Sequence, residues 1–142
     1  MLRIERIHLL SRADMLKPLR KFMRQLAKKQ GCSEENIECL VMAINEACMN
    51  VIQHAYNNKN NEEIIVEFYK QKNELIIKVI DFANCVDISQ IKSRDLKEIR
   101  PGGLGVHIIN EVMDSVEYKH GLNEKGNVLE MRKQLNKCVS DS

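Results

Sequence analysis

The sequence predicts a single α/β domain, and three observations point to it. Two runs rich in branched apolar residues, Ile64 to Lys70 and Glu74 to Asp81, flank the short polar stretch Gln71-Lys72-Asn73, as in a β-hairpin. Two segments before the hairpin repeat apolar residues at three and four positions, the spacing of a helix face. The chain has 142 residues, and a domain of about 150 residues buries roughly 68–70% of its unfolded surface, enough for one core.

Taken in order, Leu2, Ile4, Ile7, Leu9 and Leu10 alternate imperfectly and predict a first strand at a sheet edge. From about Asp14 to Lys29, Leu16, Leu19, Met23, Leu26 and Ala27 follow helical spacing. Pro18 falls in the first turn and Gly31 ends the helix. Ser33 with Glu34 and Glu35 opens a second helix, with a hydroxyl cap and two carboxylates at the positive end of the helix dipole. That helix is predicted to run to about Tyr56, with Ile37, Val41, Ile44, Cys48, Val51 and Ala55 as one apolar stripe and Glu46, Asn50 and Gln53 facing away from it. The polar run 57–61 breaks it.

Leu75 to Ile80 is apolar on nearly both faces, so the second hairpin strand is central, with Asp81 at its end. Residues 82–101 are charged and aperiodic, the pattern of a functional loop. Arg100-Pro101-Gly102-Gly103-Leu104-Gly105 leads into a third helix with Leu104, Ile108, Ile109, Val112 and Met113 inward. Strands from Ser115 to His120 and from Asn127 to Leu135 close a domain spanning 1–135, and 136–142 is a polar tail.

Composition narrows the function. The 22 Lys and Arg against 20 Asp and Glu give a net charge of +2, which exerts no general pull on nucleic acid or anionic membrane. Three Phe, three Tyr and no Trp give no base-stacking platform. The five cysteines are scattered and never form a Cys-x-x-Cys pair, so they read as reduced, mostly buried residues. No apolar run approaches the ~20 residues of a membrane span, and the expectation is a soluble cytoplasmic protein.

Three features carry candidate chemistry. Glu46 and Asn50 are four residues apart on one line of a helix; alone, such a pair is most often a solvated face. An amide oxygen suits magnesium, which takes one or two protein oxygens beside phosphates and water, and a nearby carboxylate can accept a proton from an attacking hydroxyl. Gly102-Gly103-Leu104-Gly105 opening a helix would let backbone N–H groups approach a phosphate. Asp81 at a strand end could cap a turn or accept a hydrogen bond from an adenine amino group. His54, Tyr56 and His107 read as structural.

Together, Glu46-x-x-x-Asn50-x-x-x-His54-Ala55-Tyr56, Asp81, and Arg100 through Val106 on to Met113-Asp-Ser-Val-Glu-Tyr118 resemble the anti-sigma-factor serine kinases of the histidine-kinase-like ATPase class. Gly126-Asn127 also fits. The resemblance covers nearly the whole chain. It implies an α/β two-layer sandwich, a mixed, mainly antiparallel sheet with three helices on one face, and ATP between the helices and a lid formed by 92–101. By the same resemblance Glu46 matches the general base, Asn50 the magnesium ligand, Asp81 the adenine-reading acid, and Gly103, Leu104 and Gly105 the phosphate turn. Gly102 and Val106 flank that turn, Ala83 lies beside the adenine acid, and Arg94 or Arg100 would reach phosphate.

The implied function is ATP-dependent serine/threonine phosphorylation of a small anti-sigma-factor antagonist, with sequestration of a sigma factor or similar regulator by a homodimer. One departure stands out. The family continues as Asp-x-Gly-x-Gly, whereas here Ala83 and Cys85 replace both glycines. That replacement supports an alternative function: a protein-sequestering module, nucleotide-regulated or nucleotide-independent, without kinase activity.

Overall fold

A computed structural model of the chain describes residues 1–84, 108–121 and 125–135. Strand β1 (Leu2–Leu10) leads through a 3-10 turn (Ala13–Met15) into helix α1 (Leu16–Lys29), then α2 (Glu34–Asn50), a π-helical turn (Val51–Ala55), and strands β2 (Glu63–Gln71) and β3 (Glu74–Asp81). A helical stretch at 108–112 precedes β4 (Ser115–His120) and β5 (Asn127–Gln134). The strands form one sheet in the order β1-β2-β3-β5-β4, and all four pairings are antiparallel. As expected from the sequence, β1 is an edge strand and β3 is central.

Pleating sorts each strand onto two faces. Ile64, Val66 and Phe68 of β2, Leu75, Ile77 and Val79 of β3, and Leu129 and Met131 of β5 are buried on the inner face, in one core with Leu19 and Met23 of α1, Leu40, Ile44 and Cys48 of α2, and Ile109 and Met113. The helices thus cover one side of the sheet, giving two layers. The rings of Phe22 and Phe68 meet at 5.5 Å and 55°, joining α1 to β2 in a tilted aromatic contact.

The outer face carries charge. Arg6, Glu67, Lys78, Glu130 and Glu117 are successive register partners across all five strands. Glu130 is only 3% exposed. Burial opposes its ionisation, yet hydrogen bonds from Arg132 (Nη2 at 2.9 Å) and Lys119 (Nζ at 3.3 Å) hold its carboxyl below the ordinary value. Arg132 also reaches Glu74 at 3.1 Å, Lys78 lies 4.8 Å from the Tyr69 ring centroid, and Glu67 pairs with Arg3 and Arg6.

Local chemistry explains the helix ends. Gly31 adopts φ +84°, the left-handed conformation that stops α1. At the start of α2, Ser33 Oγ accepts the N–H of Asn36 at 3.1 Å. Ser33→Ala should therefore lower unfolding free energy by about 1 kcal/mol without altering the folded state. Urea denaturation checks this, and an unchanged midpoint would show that the cap contributes nothing. The Cys48 thiol, wholly buried, is pushed up to about 12 and is inert. Among the described residues no helix is long and apolar enough to cross a membrane.

Candidate functional site

Two anchors orient α2 on the sheet. At its start, Asn36 Nδ2 donates to the carbonyls of Gln134 and Leu135 at 3.2 and 3.3 Å, at the end of β5. Just beyond its end, the Tyr56 hydroxyl meets the residue after β3. Since Asp81, at the end of β3, is the register partner of Asn127, at the start of β5, the helix runs back along β5 toward both. The later half of α2, with Glu46 and Asn50, thus heads to the same end of the sheet as Asp81.

Glu46 and Asn50 do not face away from the core as the helical spacing suggests; both are half-buried, while Glu35, Glu38 and Met42 form the exposed face. Helix α2 also has a second neighbour besides the sheet. Helix α1 packs on its flank, with Arg20 Nη1 donating to Asn45 Oδ1 at 2.7 Å and an ion pair joining Arg24 to Glu38. Glu46 makes no hydrogen bond or ion pair among the described residues. The Asn50 amide nitrogen is the sole buried side-chain polar atom among them with no hydrogen-bond partner. Leaving such a donor unmade costs about 1–3 kcal/mol, a penalty that an incoming oxygen ligand would relieve.

Directly after Asn50 the α-helix gives way to a π turn. Tyr56 N–H bonds the carbonyl of Val51 at 2.9 Å, five residues back, instead of that of Ile52. One extra residue in a turn rotates the residues beyond it by about 100°. The inward stripe consequently passes from Cys48 to Ile52 and Tyr56, both buried, and Ala55, expected on it, is half-buried. Such turns occur frequently at functional sites.

At the end of β3, Asp81 is 5% exposed and points to the helix side of the sheet, on the same row as Ile64. Its Oδ1 accepts Asn127 Nδ2 at 2.9 Å and Ala83 N–H at 3.0 Å. Asn127 also donates to the Asn84 carbonyl at 3.3 Å. Both recorded bonds to the carboxylate fall on one oxygen. Burial raises the Asp81 carboxyl above its ordinary value, against the lowering effect of Asn127 and the Ala83 N–H. Ala83, where a glycine was expected, is not among the residues with positive φ, which are Asn57, Asn58 and Lys72; its methyl packs against the core. Replacement of that glycine therefore imposes no backbone strain.

Glu46, Asn50, Asp81 and Ala83 are thus brought toward one end of the molecule. Arg94, Arg100, Gly102, Gly103, Leu104, Gly105 and Val106, with Cys85 and His107, lie outside the described residues. Two residues gain importance beyond the sequence reading. Asn127 holds Asp81 directly, and the signal for it was its place at the start of a strand after Gly126. Tyr56 donates from its hydroxyl to the Glu63 carbonyl at 2.7 Å and accepts the Phe82 N–H at 2.6 Å. The sequence places it at the end of the motif that carries the resemblance, where it read as structural.

A two-layer sandwich with an acid and an amide on the long helix and a buried aspartate at the end of the central strand defines a class. Residues 9–133 match the family described as histidine kinase-like ATPase domain, and the chain belongs to that family. Within it, the chain is 32% identical over 127 residues to the serine-protein kinase RsbW of Bacillus subtilis, covering 83% of this chain and 77% of the relative, and 33% identical over 120 residues to RsbW of Bacillus velezensis, covering 78% and 72%. These relatives bear out the resemblance to the anti-sigma-factor serine kinases. Among solved structures, the RsbU and RsbW domains of Rv1364c from Mycobacterium tuberculosis share the fold at a TM-score of 0.64 and 16% identity, over 93% of this chain and 32% of that longer one. The SiaB–SiaC complex from Pseudomonas aeruginosa matches at 0.60 and 8% identity, over 92% and 89%.

Proposed function

We propose that this protein is an ATP-dependent serine/threonine kinase that phosphorylates a small antagonist protein and, as a cytoplasmic homodimer, captures a sigma factor or similar regulator. The observation that carries the reading most is the pairing of an orphaned Asn50 amide with a buried Asp81 whose carboxylate is held through one oxygen, leaving the other as an acceptor for the adenine amino group. Glu46, half-buried and without a partner among the described residues, accepts the proton of the incoming hydroxyl as its oxygen bonds to the γ-phosphorus and ADP departs. Gly102, Gly103, Leu104, Gly105 and Val106 would supply phosphate-facing N–H groups, and Arg100 a charge.

The donor set fits magnesium. The amide oxygen of Asn50 is a hard ligand, and this ion keeps several waters and completes its shell with phosphate oxygens, so one protein oxygen beside a triphosphate is compatible with it. Asn50 would hold it, and when bound it supplies neutralisation of phosphate charge. Either end of the Asn50 amide can face the ligand, because a 180° turn exchanges its oxygen and nitrogen.

The test is a calorimetric titration of ATP with magnesium into the purified protein, with Asp81→Asn as control. Parent binding and loss of binding in the variant are expected. The pH dependence comes from the raised Asp81 pKa: the folded state binds the proton more tightly, so this group costs stability as pH rises from the unfolded value through the folded one. Removing the charge should make nucleotide-free Asp81→Asn more stable than the parent at pH 7, the difference vanishing below the unfolded pKa of about 3.9. Heat release from neither protein would sink the kinase reading.

A further inference from the structure

We propose that Tyr56 is the positioning residue for base recognition, its hydroxyl setting the direction of the Asp81 carboxylate. This rests on the reading of Asp81 as the acceptor for the adenine amino group. The support is geometric. The Tyr56 hydroxyl spans two strands, donating to the carbonyl of Glu63 at the start of β2 and accepting the N–H of Phe82 immediately after β3. Burial pushes its phenol up to about 12, so the proton that makes the first bond is present at any working pH. The residue is 5% exposed, whereas Phe82, whose backbone it holds, is 54% exposed. The clamp therefore fixes a main chain whose own side chain is not anchored by packing.

The π turn is what delivers the hydroxyl. An uninterrupted α-helix would bond the Tyr56 N–H to Ile52 and leave the ring turned by about 100°; the observed bond to Val51 seats the ring in the core beside Ile52. On its other side, Asp81 is gripped by Asn127 and by the close approach of Gly126 to its carbonyl. A carboxylate fixed from both sides can discriminate a base that presents an amino group from one that presents a carbonyl oxygen at the same place, because a rigid acceptor cannot turn away from the wrong partner. Here Tyr56 supplies, through a side chain, the local definition that the replaced glycine box would otherwise provide.

The experiment compares Tyr56→Phe with the parent for ATP and GTP binding. A core control, Ile52→Val, disturbs packing at the same turn without touching the clamp. Tyr56→Phe keeps the ring, so the variant should fold; its ATP affinity is expected to fall about tenfold, with the ATP-to-GTP preference falling by a similar factor. Ile52→Val is expected to lower the melting temperature while leaving that preference unchanged. Faster hydrogen exchange at the Phe82 amide in Tyr56→Phe, measured without nucleotide, reports the clamp independently of any ligand. Parent-like ATP affinity and base preference in Tyr56→Phe would overturn the proposal, as would an equal loss of preference in Ile52→Val. Failure of the parent itself to bind ATP would overturn the underlying reading of Asp81 and this proposal with it, even if the Phe82 amide exchanges as expected.

Discussion

Glu46→Gln is expected to lower phosphotransfer to a protein substrate by ~10² to 10⁴-fold while ATP binding stays at the parent level. The substitution keeps the shape of the side chain and removes only its ability to take a proton. Since Glu46 makes no hydrogen bond or ion pair among the described residues, no structural contact there is lost with the charge. Its half-buried position also limits the water that could substitute as base. Single-turnover transfer from labelled ATP, set beside calorimetric binding of the same variant, separates the two quantities. Equal loss in both would remove Glu46 from the role of general base and make it a binding residue.

Gly126→Ala is expected to cost about 2–5 kcal/mol of stability. Gly126 has φ +73°, and a Cβ there would stand 2.3 Å from the Asp81 carbonyl oxygen and 3.1 Å from the Phe82 Cα. Those neighbours are backbone, so relief requires β5 to move from the end of β3. The left-handed conformation adds about 1–2 kcal/mol for a side-chain-bearing residue. Because Asn127 moves with Gly126, the hold on Asp81 loosens as well, and ATP affinity should decline along with the unfolding free energy. Guanidinium denaturation gives the unfolding free energy. A variant as stable as the parent would contradict the close approach of β5 to Asp81.

The layered architecture was legible because its signals are long and redundant. The branched runs flanking Gln71-Lys72-Asn73 gave the hairpin, and the run from Leu75 to Ile80, apolar on both faces, gave the central strand. Ser33 and Gly31 marked helix ends through chemistry that acts within one turn. The π turn was not legible, because a single added residue in the hydrogen-bond ladder leaves residue types unchanged and only rotates the chain beyond it. Val51 keeps its expected place in the core, and beyond it the stripe is carried by Ile52 and Tyr56, with Ala55 only half-buried. The half-buried state of Glu46 and Asn50 was hidden for a related reason: spacing describes the faces of one helix taken alone and says nothing of what packs beside it. Asp81 stood out as an acid ending an apolar strand. Its neighbour Asn127 comes from 46 residues away, and only strand pairing makes them partners.

The charge row on the outer face works as a parity check on the sheet. A slip of one residue between strands would expose the apolar face and is excluded by burial, but a slip of two keeps every side chain on its own face and would otherwise pass unnoticed. The charges detect it. Moving β5 by two positions against β3 would set Lys78 opposite Arg132 or Val128 in place of Glu130, leaving that buried carboxylate without one of its cations. Moving β2 against β3 would set Glu67 opposite Ile76 or Ile80. Like charges directly opposite destabilise a strand pair, and a buried charge stripped of a partner is costlier still. The opposite-charge pairs Glu67–Lys78 and Lys78–Glu130 thus fix which rung meets which among β2, β3 and β5, and with it the alignment of Asp81 to Asn127 several rungs away.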